Sequence, residues 1–196
     1  MNVAEKTVSE KGFRREGGRA PRAPQEAAHG PRMESKGFST SFTVNQSPRE
    51  VFDAINNVRG WWSGEIEGST DELGAVFTYR YKGLHRSTQK ITELVSGKRV
   101  VWHVSDASLE FVQDKTEWNG TDIVFEIVRK GNETEVRFNH VGLVPRLQCH
   151  GNCSGAWGFY INDCLRSLIT TGKNDTNPRE SRERDGRDDA SGRIQA

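Results

Sequence analysis

Three side chains that bind soft metal ions lie close together in the sequence: Cys149, His150 and Cys153. A structural zinc site needs four ligands, and the second pair usually comes from elsewhere in the chain. The sequence shows no second pair at a suitable spacing. We therefore predict no metal and no other cofactor, and interpret the two cysteines as loop thiols that precede a helix. A redox-active thiol pair stays open as an alternative.

Two histidines are candidates for acid–base chemistry. His140 shares a predicted strand face with two apolar residues, and a histidine in that setting is more often a hydrogen-bonded core residue than a catalyst. His103 falls on the opposite face from its neighbouring tryptophan, where we expect it to be exposed. A general base also needs a protonation partner within reach, such as Asp106 or Glu126. We predict no clear catalytic machinery and favour a non-enzymatic role.

The composition limits the classes of partner. The 28 Lys and Arg residues nearly balance the 27 Asp and Glu residues, which gives a net charge of +1. Bulk charge therefore does not favour nucleic acid or an anionic membrane as a partner. No apolar run approaches the length of a membrane span, and the first residues lack the apolar stretch of a secretory signal. With only three cysteines, an odd number, we expect a reducing, cytoplasmic environment.

Composition also divides the chain into three parts. Residues 1–36 and 173–196 are rich in charged and small residues and carry few large apolar ones, so we expect a disordered N-terminal extension and a disordered C-terminal tail. Residues 37–172 hold all five tryptophans and all but one of the phenylalanines. This central segment is long enough for one hydrophobic core, and we predict a single folded domain there.

The central segment has the periodicity of an α+β domain. Ser47, Pro48 and Glu50 match an N-cap, a first helical position and a capping-box partner, and Gly60 precedes a second short helix or turn. Apolar spacings of three and four residues from about Cys153 to a C-cap at Gly172 predict one long amphipathic helix. Alternating apolar residues predict strands over 38–44, 76–81, 88–95, 99–105, 122–129 and 134–141.

Two end segments of this domain resemble the SRPBCC, or START-like, superfamily. The first is FTVNQSPREVF at residues 42–52 with Gly-Trp-Trp at 60–62, and the second is SGAWGFYINDCLRSLITTG at residues 154–172, preceded by TEVRF at 134–138. The subgroup that they most resemble is the bacterial relatives of the Hsp90-ATPase activator C-terminal domain. The resemblance implies a helix-grip fold, in which a curved antiparallel sheet of about six to seven strands wraps around a long C-terminal helix, with two short helices after the first strand.

The same resemblance implies a cavity, usually apolar, between the sheet and the C-terminal helix. Our first functional hypothesis is a protein that binds a small apolar molecule there. A chaperone cofactor or protein-interaction module, with a chaperone or another protein as partner, is the first alternative, and a cyclase- or hydrolase-type enzyme is the second. The oligomeric state is left open. The candidate ligand contacts are the large aromatic residues and one histidine: Trp61, Trp62, Phe77, Tyr79, Trp102, Phe125, Phe138, His140, Trp157 and Tyr160.

Overall fold

The computed structural model describes residues 37–173, which form an α+β fold. The predicted extension over 1–36 and nearly all of the predicted tail over 173–196 lie outside the described residues. The elements in chain order are β1 (Gly37–Val44), α1 (Pro48–Asn56), a 3-10 turn (Val58–Gly60), β2 (Glu65–Gly68), β3 (Val76–Tyr81), β4 (His85–Val95), β5 (Arg99–Leu109), β6 (Asp122–Lys130), β7 (Glu133–Val141), α2 (His150–Phe159), a π-helical segment (Tyr160–Leu165) and α3 (Arg166–Thr171).

The strands form one antiparallel sheet in the order β1-β7-β6-β5-β4-β3-β2. Neighbours in sequence are neighbours in the sheet from β2 to β7, and β1 joins the far edge by pairing with β7. The ladder between β4 and β5 shifts register twice, after Thr88 and after Ile91. Such irregularities bend a sheet and increase its twist. The predicted curved sheet of six to seven strands is therefore confirmed, with seven.

Helix α1 begins as its sequence predicts. The Ser47 backbone N–H donates to the Glu50 carboxylate at 2.8 Å, and the Glu50 backbone N–H donates back to the Ser47 hydroxyl. These reciprocal bonds satisfy two of the N–H groups that a helix start leaves unpaired. Hydrogen bonds to the Glu50 carboxylate from the Ser47 hydroxyl, and then from the Ser47 backbone N–H, hold the pKa of Glu50 below its usual value. The second short helix or turn that is predicted to follow Gly60 is a single 3-10 turn that ends at Gly60 instead.

Strand β4 differs from the sequence prediction, because it begins at His85 rather than at Thr88. The polar residues of this stretch suggest a turn, yet Ser87 and Gln89 are fully buried. The Ser87 hydroxyl donates to the Gln89 amide oxygen at 2.6 Å, and the Gln89 amide nitrogen donates to the Ser87 and Phe77 carbonyls at 3.2 and 3.1 Å. These bonds let two polar side chains face inward without a large desolvation cost. Strand β5 likewise extends to Leu109, four residues beyond the predicted end.

Strand β2 has no counterpart in the sequence prediction. It is four residues long, with the sequence Glu-Ile-Glu-Gly, and Ile66 is its one large apolar residue. The strand lies at the edge of the sheet, where charged side chains and short length protect against pairing with another chain. Such a strand lacks the apolar alternation by which buried strands are recognised in a sequence.

The three helical segments from His150 to Thr171 run without interruption and form one long C-terminal helix. Its buried residues belong to the same core cluster as the inward residues of the sheet. The helix-grip architecture is therefore confirmed. In the described residues, we find no helix with both the length and the apolar character that crossing a membrane requires.

Candidate functional site

A cavity of about 340 Å³ opens between the C-terminal helix and strands β3 and β4 of the sheet. This volume lies at the small end of the range of ligand pockets in proteins. Most of the wall is apolar, and aromatic side chains supply much of it. The lining residues are Trp62, Tyr79, Tyr81, Leu84, His85, Phe111, Trp118, Asn152, Cys153, Ala156, Trp157 and Tyr160.

Aromatic rings packed against one another form much of the cavity wall. The Trp62 and Tyr79 rings are nearly parallel with centroids 4.1 Å apart, and Trp157 packs against Trp62 at 5.0 Å. Trp118 lies parallel to Trp157 at 5.9 Å. These four residues are buried, so their orientations are fixed by packing before any ligand enters. Rigid aromatic surfaces of this kind suit a planar, apolar molecule.

Apolar side chains also surround the opening of the cavity. Leu84, in the turn between β3 and β4, is 48% exposed, and Phe111, just after β5, is 40% exposed. Asn152 and Ala156 form the helix side of the opening and are exposed as well. Contiguous exposed apolar surface is a common feature of ligand-binding grooves. The opening therefore favours entry of an apolar molecule.

Three hydroxyl groups, from Ser63, Tyr79 and Tyr160, lie close together, and the two tyrosines line the cavity. Ser63 and Tyr160 share a short hydrogen bond, and the Tyr79 hydroxyl interacts electrostatically with that of Tyr160. Burial, followed by the neighbouring Tyr160, raises the pKa of Tyr79, and burial also raises the pKa of Tyr160. Both phenols are therefore protonated at neutral pH. This hydroxyl cluster, which comprises Ser63, Tyr79 and Tyr160, can donate and accept hydrogen bonds.

The π-helical segment begins at Tyr160, the helix residue of the hydroxyl cluster. A π-helical turn takes up more residues than an α-helical turn, and such turns are frequent at functional sites. Asn162, inside the segment, accepts a hydrogen bond of 3.1 Å from the Thr40 hydroxyl on β1. The segment thus connects the helix to the edge strand while Tyr160 lines the cavity.

His85 is a lining residue that the sequence analysis did not single out. Its ring lies edge-on between Tyr79, with centroids 5.1 Å apart, and Trp118, at 4.5 Å. Its Nε2 is buried and has no hydrogen-bond partner among residues 37–173. Burial lowers the pKa of His85 to about 4, so the ring is neutral at physiological pH. A neutral imidazole beside the cavity can bond to a polar group of a ligand once a small movement exposes Nε2.

His140 lies behind the wall rather than in it. Its Nδ1 accepts a hydrogen bond of 2.9 Å from the Trp157 indole N–H, and its Nε2 lies 2.9 Å from the Thr121 hydroxyl. That hydroxyl donates to the Trp118 carbonyl, so Nε2 is the donor to Thr121. Burial lowers the pKa of His140 to about 3. His140 is therefore a neutral core histidine that holds Trp157 in place.

The structure separates the ten predicted ligand contacts into two groups. Trp62, Tyr79, Trp157 and Tyr160 line the cavity. The others are in the packed core behind it: Trp61, Phe77, Trp102, Phe125, Phe138 and His140. For example, the Trp61 indole N–H donates to the Ile55 carbonyl at 3.2 Å, which turns its polar edge toward α1. The geometry favours the first group as ligand contacts.

The sequence analysis missed several lining residues because they lie in turns. Leu84, Phe111 and Trp118 fall in stretches without strand or helix periodicity. The available signal was the presence of large apolar residues in segments that should otherwise be polar. Cys153 was interpreted as a loop thiol, but it lies within α2 and is buried, as is Cys149. Cys153 is therefore a buried residue of the cavity wall, whereas a loop thiol would be exposed to solvent.

His103 is partly exposed and pairs with a carboxylate that the sequence analysis did not name. Its Nδ1 lies 2.8 Å from the Asp122 carboxylate on β6. Asp106 and Glu126, the partners considered from the sequence, instead pair with Arg86 and Arg99. Among residues 37–173 no group of three or more His, Cys, Asp or Glu side chains is arranged to hold a metal ion.

No family model matches the chain, and no curated protein matches it. Solved structures, in contrast, do match this chain. The Aha1 dimer from Colwellia psychrerythraea is 23% identical, with a TM-score of 0.57 over 70% of this chain and 98% of that one. MLL2253 from Mesorhizobium loti is 12% identical, with a TM-score of 0.53 over 66% of this chain and 96% of that one. DynU16, from the dynemicin biosynthetic locus, is 13% identical, with a TM-score of 0.51 over 71% of this chain and 49% of that one. The chain thus has the START-like fold of the SRPBCC and Aha1-like proteins, as its sequence predicts.

Proposed function

We propose that this protein binds a small, uncharged, planar apolar molecule that carries a hydroxyl or carbonyl group. The observation that carries the proposal is the open cavity, whose aromatic walls meet a hydroxyl cluster and the unpartnered nitrogen of His85. Apolar area removed from water would supply most of the affinity. The few polar groups would orient the ligand, as in most small-molecule sites.

The charge of the lining favours a neutral ligand. The lining residues include no Lys, Arg, Asp or Glu. The phenols of Tyr79 and Tyr160 remain protonated and His85 remains neutral at physiological pH. A charged ligand would lose its hydration shell without gaining an opposite charge, which is costly in an apolar site.

An enzyme of the cyclase or hydrolase type is the second candidate function, and His85 is the observation that favours it. A buried imidazole at a cavity wall is a common general base. Its pKa of about 4 makes it a weak base, however, and the free Nε2 is therefore better suited to hydrogen bonding than to taking a proton. The binding function fits this chemistry better. The chaperone-cofactor alternative stays a prediction of the sequence resemblance.

Filling the opening should weaken binding. Ala156 is exposed at the rim, and Ala156→Trp would place an indole across it. Titration calorimetry with 2-naphthol, a neutral planar probe with one hydroxyl, should show one site in the wild type. The variant should bind at least about tenfold more weakly, since a loss of about 1.4 kcal/mol suffices for that factor.

Gly155→Trp is the matched control for this experiment. Gly155 is the preceding residue of the same helix, it is exposed, and a Cβ added there meets no atom within 4 Å. The control should bind 2-naphthol like the wild type. Equal binding by the Ala156 variant and the control would place the probe elsewhere and reject the proposal.

Removing one hydroxyl should affect only ligands that can bond to it. Tyr160→Phe deletes the phenol oxygen of the hydroxyl cluster and leaves the ring in place. A net hydrogen bond of about 0.5–1.5 kcal/mol corresponds to a roughly two- to tenfold weaker affinity for 2-naphthol. Naphthalene, which has no hydroxyl, should bind both proteins alike. An equal loss for the two probes would mean that the ring position, not the hydroxyl, had changed.

A further inference from the structure

We propose that a second, polar pocket at the C-terminal end of α1 binds a small zwitterion, a free α-amino acid with a polar, uncharged side chain. This pocket has a volume of about 470 Å³, and α1, the 3-10 turn and the loop of residues 69–71 supply its lining. It shares no lining residue with the aromatic cavity. The proposal therefore goes beyond the proposed function and does not depend on it.

The loop and the helix that form the polar pocket are joined by a hydrogen bond between two buried lining residues. The Thr70 hydroxyl donates to the Asn56 carbonyl at 2.7 Å. Thr70 is 5% exposed and Asn56 is 6% exposed, so packing fixes both side chains. A pocket whose walls are fixed in this way binds a ligand at a smaller cost in conformational entropy.

Asn56 also provides a buried acceptor without a partner. Its Nδ2 donates to the Phe52 carbonyl at 2.8 Å, one turn back in the same helix. Its Oδ1 is buried and has no hydrogen-bond partner among residues 37–173. An unpaired buried acceptor costs stability, and such atoms are rare in folded proteins. Because Asn56 lines the pocket, a ligand N–H group can pair with Oδ1 once a small movement of the wall exposes that atom.

Arg59 and Asp71 are opposite charges of the same pocket that have no ionic partners. Arg49 and Asp53, which also line the pocket, form an ion pair of 2.9 Å along α1. The ion pairs within residues 37–173 include neither Arg59 nor Asp71. The two arginines and two aspartates of the lining cancel in net charge. A neutral ligand with separated charges therefore matches the pocket better than an ion of either sign.

Uncharged groups orient these two side chains. The Arg59 Nη2 donates to the Ile66 and Gly68 carbonyls at 3.1 and 2.7 Å, which leaves Nη1 and Nε as donors for a carboxylate. The Ser69 hydroxyl donates to Oδ1 of Asp71 at 2.8 Å, which leaves Oδ2 as an acceptor for an ammonium group. Both charges are thus positioned before a ligand arrives, which favours specific binding.

Together these groups select an α-amino acid. Its carboxylate would bond to Arg59, and its ammonium, which carries three donors, would bond to Asp71 and to Oδ1 of Asn56. The C-terminal end of α1 adds partial negative charge near the ammonium, and the last turn of this helix has no basic residue. Phe52 is the only large apolar lining residue, and it is 8% exposed. An apolar ligand side chain would gain little burial there, so a polar one is favoured.

An ¹H–¹⁵N NMR titration of the full-length chain with L-glutamine tests the polar pocket. The backbone signals of Asn56, Thr70 and Asp71 should shift and saturate, whereas the indole signals of the cavity tryptophans should not move. N-acetyl-L-glutamine lacks the ammonium, and L-glutaminamide lacks the carboxylate. Each should bind at least about tenfold more weakly than L-glutamine, because each loses a charge-assisted hydrogen bond.

Two charge-removing variants assign the two ends of the ligand. Arg59→Met should bind L-glutamine at least about tenfold more weakly and leave the binding of L-glutaminamide unchanged, because that probe has no carboxylate. Asp71→Asn should also weaken L-glutamine and leave N-acetyl-L-glutamine unchanged. Arg80→Met is the matched control, since Arg80 is an exposed arginine that pairs with Glu67 outside the pocket. The control should bind L-glutamine like the wild type.

Asn56→Leu tests the unpartnered acceptor, and a dispersed ¹H–¹⁵N spectrum would show that this variant is folded. It should bind L-glutamine more weakly than the wild type. No saturable shift with about 10 mM L-glutamine, or equal affinity for L-glutamine and N-acetyl-L-glutamine, would overturn the amino-acid site. An equal loss in Arg59→Met and Arg80→Met would overturn it as well. None of these results affects the proposed function, and failure to bind 2-naphthol would count only against that function.

Discussion

Replacing Trp157 by alanine should lower the free energy of unfolding by about 4 kcal/mol. Trp157 is 2% exposed, and its ring packs against Trp62, Phe138 and Trp118. The substitution removes the largest side chain that the C-terminal helix contributes to the core. It also leaves Nδ1 of His140 without its donor in a buried site, which adds a desolvation cost. Urea unfolding followed by far-UV circular dichroism would measure the change.

Leu73→Ala is the control for this measurement. Leu73 is 66% exposed, and substitutions at exposed positions usually change stability by less than about 0.5 kcal/mol. A cost below about 1 kcal/mol for Trp157→Ala would contradict the packing described above. It would mean that the cavity, not the core, surrounds most of the Trp157 ring.

Stability should fall as the pH drops from 7 to 5. The pKa of His140 is about 3 and that of His85 about 4 in the folded protein, against 6.5 for an ordinary histidine. Between these values the unfolded chain binds protons that the folded protein does not, so acid favours unfolding. The stability that the two neutral histidines contribute is fully present above pH 6.5 and is lost progressively below it. His140 alone should account for about 2 kcal/mol over this interval.

Urea unfolding at a series of pH values would measure this slope, and His140→Gln is the informative variant. Glutamine can still hydrogen-bond but cannot titrate, so the variant should be less stable at pH 7 yet lose less stability on acidification. The slope of the unfolding free energy against pH should fall by the amount that corresponds to roughly one proton bound on unfolding. An unchanged slope would show that other groups produce the acid sensitivity.

Local patterns were sufficient to predict the main elements of the fold, and the resemblance of the two end segments to the START-like superfamily implied their helix-grip arrangement. The capping box at Ser47, the alternation of β7 and the apolar spacing of the C-terminal helix each describe the element that the structure contains. The π-helical segment could not be predicted, since the buried positions Ile161, Cys164 and Leu165 have spacings that an α-helix also allows. Its distinguishing feature is a backbone register, not a residue type.

The candidate site was only partly predictable, for a different physical reason. Alternation identifies the inward face of a strand but not the depth of each position, so the core residue Phe125 and the lining residue Tyr79 give the same pattern. Trp118 is positioned by contacts that are distant in sequence. The carboxylate of its neighbour Glu117 binds the backbone at the start of α2, 31 and 32 residues along the chain.

The most direct test of ligand binding uses the five tryptophans, because their indole N–H groups give separate signals in an ¹H–¹⁵N NMR spectrum. Trp62, Trp118 and Trp157 line the cavity, whereas Trp61 and Trp102 lie in the core behind it. Titration with 2-naphthol should shift the first three signals together and leave the Trp61 and Trp102 signals nearly unchanged. Shifts confined to the Trp61 and Trp102 signals, or no shift in any of the five, would contradict binding in this cavity.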